Sequence, residues 1–438
     1  MAVVAAAAGS AVGLGNIWRF PYELGQSGGA AFLILYLLFV VLIGMPLMMS
    51  EFVIGRMGAS DAVGSFKKIA PGKPWWLIGV MGVLTAFLIM GFYSVISGWT
   101  LEYIYQALSN QFVNKDTATL TQVFVDFSSD TYRPLFWMFI FMLIAAMIII
   151  LGVKDGIEKS TKFLMPLLLI IIIILGIRSI TLPGGALGLK YLFQPDFSKI
   201  TPAVVLSAMG QAFFSLSLGM GCMITYGSYI NRKNNLSHTV FEVTALDTLV
   251  SILAAVAIFP AVFSMGINPA QGPELVFITL PNVFAQIPGG YIWSILFFIL
   301  LAVAALTSAI SLMEVVVAYL VEEIKMKRVT ATVLVSIIIM VFGVLASLSF
   351  GPWKDVQIFQ MNFFDLFDNV TAKIFMPLGG LMISIFTGWF LSKDKIRQEI
   401  SSYGKFPTPY YNAFIFLVKY ITPLLIVLVM LHQIGLGT

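Results

Sequence analysis

The stretch Gly9-Ser-Ala-Val-Gly-Leu-Gly-Asn-Ile-Trp-Arg-Phe-Pro21 sets three glycines, the Asn16 amide and the Arg19 cation inside the first apolar segment. Lipid offers no hydrogen-bond partners, so a spanning helix normally closes every backbone bond internally. Glycines beside a polar side chain at that depth predict a helix that is interrupted there. Freed carbonyls can bind a cation and freed N–H groups an anion. Such a pair of groups suits a zwitterion that travels with a metal cation. A second stretch, Gly210-Gln-Ala-Phe-Phe-Ser-Leu-Ser-Leu-Gly-Met-Gly221, repeats the pattern of glycines, serines and an amide in apolar surroundings. Further along, Thr307 and Ser308 put two adjacent hydroxyls in an apolar run. Sodium in a dry site wants about six hard oxygen ligands, and hydroxyls are of that kind.

These groups have to be held by membrane-spanning helices. The chain has 438 residues, 59% hydrophobic and 11% charged, where a soluble domain carries about 25% charged residues. Eleven stretches are long and apolar enough to span: 1–25, 28–55, 75–110, 134–152, 158–180, 202–230, 241–267, 291–321, 329–350, 366–391 and 410–434. The fold class is an all-α polytopic membrane protein. The interruptions fall in spans 1 and 6, five spans apart, which is the mark of two five-helix repeats of opposite orientation with a site at their interface. The expected division is 1–180 for the first repeat, 202–391 for the second, and 410–434 for one extra helix. The stretches 110–133, 181–201, 268–290 and 351–364 read as loops, with 273–290 folded into a lid.

Lys and Arg set the orientation. Loops after even-numbered spans hold Arg56, Lys67, Lys68, Lys73, Lys154, Lys159, Lys162, Arg232, Lys233, Lys325, Lys327, Arg328, Lys393, Lys395, Arg397 and Lys405; the opposite loops hold fewer. The N-terminus is therefore expected in the cytoplasm, and the protein in the inner (plasma) membrane. The net charge of +4 is this loop bias and not a nucleic-acid footprint. Cys222 is the only cysteine, so no internal disulfide forms, and His238 and His432 lie far apart. No metal-ligand cluster, Walker loop or nucleophile elbow appears, which points away from an enzyme.

Both glycine-rich stretches, together with Tyr93 ahead of Ser-Gly-Trp-Thr-Leu-Glu-Tyr103, the run Ala305–Ser311 and Lys419-Tyr-Ile-Thr-Pro423, resemble the neurotransmitter:sodium symporters, in particular their bacterial amino-acid branch. The resemblance spans residues 5–434 and implies a LeuT-type fold with broken helices 1 and 6. It implies sodium-coupled uptake of a small amino acid, with two sodium ions. One sodium site would join the carbonyls of Gly9, Val12 and Ala304 to Thr307 and Ser308. The other would use the Ala11 carbonyl, Asn16, Ser215 and the substrate carboxylate, with Asp247 where the family usually has Asn. Tyr36, Gln211, Ser215 and Ser251 resemble the set that gathers chloride in chloride-dependent members. A fixed charge at Asp247 can supply that anion instead, so chloride is expected not to be required.

The resemblance implies that the substrate carboxylate meets the N–H groups of Leu14 and Gly15 and the Tyr93 hydroxyl. Its ammonium would meet carbonyls of Ala11, Phe214 and Ser215, near Ser217 and Ser308. Ile89, Phe214, Met220 and Leu312 would form an apolar side-chain pocket, suited to a neutral, hydrophobic amino acid. Monoamine carriers have an Asp near Gly13, which is absent here. Arg19 and Asp368 are expected to close the outside, and Tyr229 and Glu322 the inside. Gly156 and Pro166 look like the family's unwinding motif in span 5. Eight residues precede Gly9, reaching about 12 Å, short of a half-bilayer of about 15 Å; if the chain begins there, an inward-open bias follows. A sensor or channel-like protein without coupled transport remains the alternative reading.

Overall fold

The computed structural model describes residues 2–113, 115–266 and 276–433. Among the described residues nine helices are long and apolar enough to cross a membrane: Ala30–Gly58, Trp76–Leu108, Arg133–Ile150, Val153–Ile180, Leu236–Ser264, Gly290–Glu322, Arg328–Leu348, Phe363–Phe390 and Tyr411–Leu431. The two remaining spans are interrupted. Span 1 runs as Ala2–Ala11 and resumes at Gly15–Arg19, continuing as Phe20–Gln26. Span 6 runs as Pro202–Ser215 and resumes as Cys222–Tyr229. The expected eleven spans are thus present, two of them broken.

Composition explains why these helices bury. Spans 3 and 8, Trp76–Leu108 and Gly290–Glu322, are 33 residues each and apolar nearly all round, the pattern of helices enclosed on every side. They pack along one another, and the first half of span 1 lies against spans 7 and 8. Span 1 therefore sits inside the bundle, and its break is shielded from lipid.

Several polar stretches fold further than expected. The stretch 110–133 holds the helix Thr117–Ser129, capped by Asp116, whose carboxylate accepts from the Thr119 N–H at 3.0 Å. Gly185–Phe193, Thr279–Gln286, Ala62–Ile69 and Lys393–Ile400 are also helices. They are too short for a hydropathy pattern to separate them from loops. Of the expected lid, 273–275 lies outside the described residues. The rest buries Leu280, Val283 and Phe284, and Phe277 packs edge-on against Trp99 at 5.6 Å, so this segment is docked. In span 5 Gly156 sits in a wide π turn, Val153–Glu158, and the helix Lys159–Ile180 continues through Pro166.

Candidate functional site

The two breaks face each other. In span 1, helical bonding lapses at Val12 and Gly13. The Asn16 side chain then accepts from the Gly13 N–H at 2.8 Å, and the Leu14 N–H points at the Tyr93 hydroxyl, 3.4 Å away. In span 6, Ser217, Gly219 and Gly221 all have positive φ, at 53°, 75° and 78°. Glycine takes this geometry at little cost, whereas for Ser217 it is strained. Its hydroxyl donates to the Ser10 carbonyl at 3.0 Å, tying one break to the other.

Asn16, Ser215, Asp247, Ser251 and Tyr36 form a single buried cluster. The Asn16 amide nitrogen has four oxygens within 3.1 Å: Ser215 Oγ, the Asp247 carbonyl, Asp247 Oδ1 and Ser251 Oγ. An amide NH₂ has two protons to give, so acceptors outnumber donors. Tyr36 donates to Asp247 Oδ2 at 3.1 Å, and Ser215 Oγ lies 2.8 and 2.9 Å from the two carboxylate oxygens. Surplus hard oxygens around a buried carboxylate are what a sodium ion fits. Gln211 is not part of this cluster. Its amide donates to the Gly15 carbonyl at 3.0 Å, an acceptor that also takes the Phe20 N–H of the π turn.

Thr307 Oγ1 lies 3.0 Å from the Val12 carbonyl and 3.0 Å from that of Ala304. One hydroxyl proton cannot serve both, again leaving oxygen in excess. Ser308 Oγ faces the Ser10 carbonyl at 3.4 Å. Gly9 itself packs on span 5: a Cβ there would come 2.5 Å from the Thr161 methyl.

Beside these oxygens a small cavity of about 20 Å³ is lined by Ser10, Ala11, Gly15, Ile89, Tyr93, Phe214, Ser217, Met220, Ser308 and Leu312. All but Ser10 were expected from the sequence. The Phe214 carbonyl, expected to face an ammonium, accepts from the Ser217 N–H at 3.2 Å. A volume near 20 Å³ holds about one water, so admitting anything larger requires the walls to move.

Arg19, expected at the outer gate, stands beside Phe214 of the cavity wall. Its Nη1 pairs with Asp368 Oδ1 at 3.2 Å, and its guanidinium carbon stands 4.5 Å from the Phe214 ring centroid. Glu23, which sequence reasoning missed, adds a second carboxylate 3.9 Å from Arg19.

Tyr229 and Glu322, both expected at the inner gate, have separate partners. Tyr229 donates to Glu314 at 2.8 Å, and not to Glu322. Glu314 is buried and ion-paired with Arg328, which also donates to the Ile149 carbonyl at 2.7 Å. Glu314 lies eight residues before Glu322, about 12 Å along the helix, which is the level that Tyr229 reaches. Glu322 accepts instead from Ser60 Oγ and the Asp61 N–H, both at 2.8 Å. Glu51 was also missed. It is fully buried in span 2 and accepts from the Gly219 N–H at 2.8 Å, holding the break in span 6. A lone carboxylate within Met-Met-Ser-Glu-Phe-Val was the available signal.

Asp61 caps the helix Ala62–Ile69 through the N–H groups of Val63 and Gly64. Burial pushes its carboxyl up to about 6; the nearby charges of Glu322 and Glu323 push the same way, and the two N–H groups offset part of it. The acid form is thus favoured in the folded state. Its stabilising contribution is complete below the ordinary value of 3.8 and is lost as pH rises through about 6. Lowering the pH from 7 to 5 is expected to raise the Tm more in the wild type than in Asp61→Asn, which keeps the cap. Equal pH responses in thermal melts would contradict this assignment.

Among the described residues the arrangement has no nucleophile–base pair, and it sets buried oxygens beside a small cavity between two broken helices. The model of the sodium:neurotransmitter symporter family matches residues 1–121 and 127–436. An uncharacterized sodium-dependent transporter of Bacillus subtilis (strain 168) is 38% identical over 99% of this chain and 96% of its own length. One from Haemophilus influenzae is 38% identical over 98% and 95%. The crystal structure of MhsT in complex with L-phenylalanine superposes with a TM-score of 0.92 at 45% identity, covering 98% of this chain and 97% of that one. That likeness carries the LeuT-type fold. Two broken helices meeting at buried, cation-ready oxygens, and matches along almost the whole sequence, lead to one conclusion: the chain belongs to the sodium:neurotransmitter symporter family.

Proposed function

We propose that this protein is a symporter that takes up a neutral, hydrophobic amino acid with sodium by alternating access. The observation that carries the reading is the contact between the two kinds of site. The cavity walled by Ile89, Phe214, Met220 and Leu312 also borders Ala11 and Gly15, and the Asn16–Ser215–Asp247 oxygens lie on the same two breaks. An amino-acid carboxylate placed on the Leu14 and Gly15 N–H groups and the Tyr93 hydroxyl would reach an ion held by Asn16 and Ser215. Direct contact makes the two affinities depend on each other, which is the thermodynamic basis of coupling. The apolar walls favour an aliphatic or aromatic side chain, as in the L-phenylalanine complex of MhsT.

Two sodium ions fit the two oxygen sets, around Asp247 and around Thr307–Ser308, and Asp247 makes chloride unnecessary. Each ion entering through about 100 mV supplies about 2.3 kcal/mol. Spans 1–5 and 6–10 act as the two repeats, and the Lys- and Arg-rich end faces the cytoplasm. Arg19 and Asp368 form the outer gate. Tyr229, Glu314 and Arg328 form the inner one, with Glu322 holding the adjoining loop.

Scintillation-proximity binding with labelled L-phenylalanine, L-leucine and L-glutamate tests the reading. The two neutral amino acids are expected to bind only in sodium, and glutamate not at all. Sodium-independent binding, or a preference for glutamate, would sink it. Sodium-driven counterflow in liposomes separates a carrier from a sensor that merely binds.

A further inference from the structure

Three segments that are distant in sequence bring cations to one cavity at the Lys- and Arg-rich end. Lys68 comes from the helix Ala62–Ile69, Arg232 follows the second half of span 6, and Lys395 lies on Lys393–Ile400. With Met57, Ile69, Gln398, Glu399 and Tyr403 they line a cavity of about 300 Å³. Its one acid is already matched. Glu399 Oε2 accepts from buried Arg56 at 3.1 Å, Arg56 also donates to the Glu399 carbonyl, and Oε1 takes Arg232 at 3.1 Å.

Arg232 is held in place twice, by Glu399 and by the Tyr403 ring 4.9 Å from its guanidinium carbon. A guanidinium has five N–H donors, and one is seen bound to the carboxylate. Lys68 donates to the Ala59 carbonyl at 3.2 Å, and neither it nor Lys395 has a carboxylate within ion-pair distance among the described residues. A fixed guanidinium flanked by two ammonium groups matches a phosphate oxyanion.

We propose that this cavity is a binding site for a phosphate group, carried by an anionic phospholipid headgroup or as free phosphate. The loop that carries Arg232 leads out of the broken span 6, so an occupant joins that span to the hairpin between spans 10 and 11.

Native mass spectrometry of the purified full chain, supplied with phosphatidylglycerol or phosphatidylcholine, reads the lipid source; a melting scan in inorganic phosphate reads the free source. The expected result is retention of phosphatidylglycerol over phosphatidylcholine. Lys68→Gln and Lys395→Gln should each weaken retention about fivefold. Both lysines are exposed and lie outside the ion and substrate groups, so these variants fold, whereas Arg232→Gln also disturbs Glu399. A phosphate-dependent rise in Tm that both substitutions remove supports the site with free phosphate as occupant. Retention and melting unchanged by both substitutions, or equal retention of the two lipids with no phosphate effect, overturns it.

Discussion

Asp247→Asn is expected to abolish sodium-dependent substrate binding in chloride-free buffer, and chloride is expected to restore part of it. Wild-type binding should be the same in chloride and gluconate. Asp247 is fully buried in span 7, and no Lys or Arg lies within ion-pair distance among the described residues. A buried carboxylate left without a cation costs several kcal/mol, which the sodium proposed at the neighbouring oxygens would balance. Removing the charge while keeping the shape leaves that ion uncompensated. At about 4 Å and an effective dielectric near 20 the lost attraction is about 4 kcal/mol, on the order of a thousandfold in affinity. Tyr36, Ser215 and Ser251 stay in place, and their hydroxyls can gather a chloride beside the now neutral amide. A wild-type protein whose binding collapses in gluconate would remove the fixed-charge role, as would an Asp247→Asn variant that binds normally in both buffers.

The spans and both breaks were legible in the sequence because their signals are local. Twenty apolar residues in a row mark a span wherever it packs, and Gly13, Gly219 and Gly221 mark backbone that leaves the helix. Side-chain partners are another matter. Asn16 and Asp247 meet across 231 positions, and it was resemblance, not periodicity, that brought them together. Some partners lay outside the sets that the resemblance implied: the Gly15 carbonyl takes Gln211, and Glu314 takes Tyr229. Ser10, Glu51 and Glu314 went unread for a shared reason. Each acts through a contact with a broken or neighbouring helix, and which way a helix face turns is fixed by packing.

Glycines show the limit of composition most clearly, since Gly13 and Gly210 lie in equally marked stretches and occupy opposite surroundings. A Cβ built on Gly13 overlaps Ser308 Oγ and comes 2.8 Å from Ser308 Cβ and 3.3 Å from the Ala304 carbonyl. A Cβ on Gly210 meets nothing within 4 Å. The break in span 1 is therefore pressed onto span 8 at the level of Thr307, whose hydroxyl lies 3.0 Å from the Val12 carbonyl. Gly13→Ala has to push the two apart, and rotating the Ser308 hydroxyl gives no relief because its Cβ is also too close. Overpacking costs about 1–3 kcal/mol, here spent on the oxygens proposed for sodium, so sodium-dependent binding should fall by about tenfold to a hundredfold. Gly210→Ala should bind as the wild type does. Adding Ser308→Gly to Gly13→Ala removes the obstructing carbon and should recover part of the loss, although the Ser308 hydroxyl is gone. If both alanine variants bind equally well or equally badly, the close approach of spans 1 and 8 at Gly13 does not govern the site.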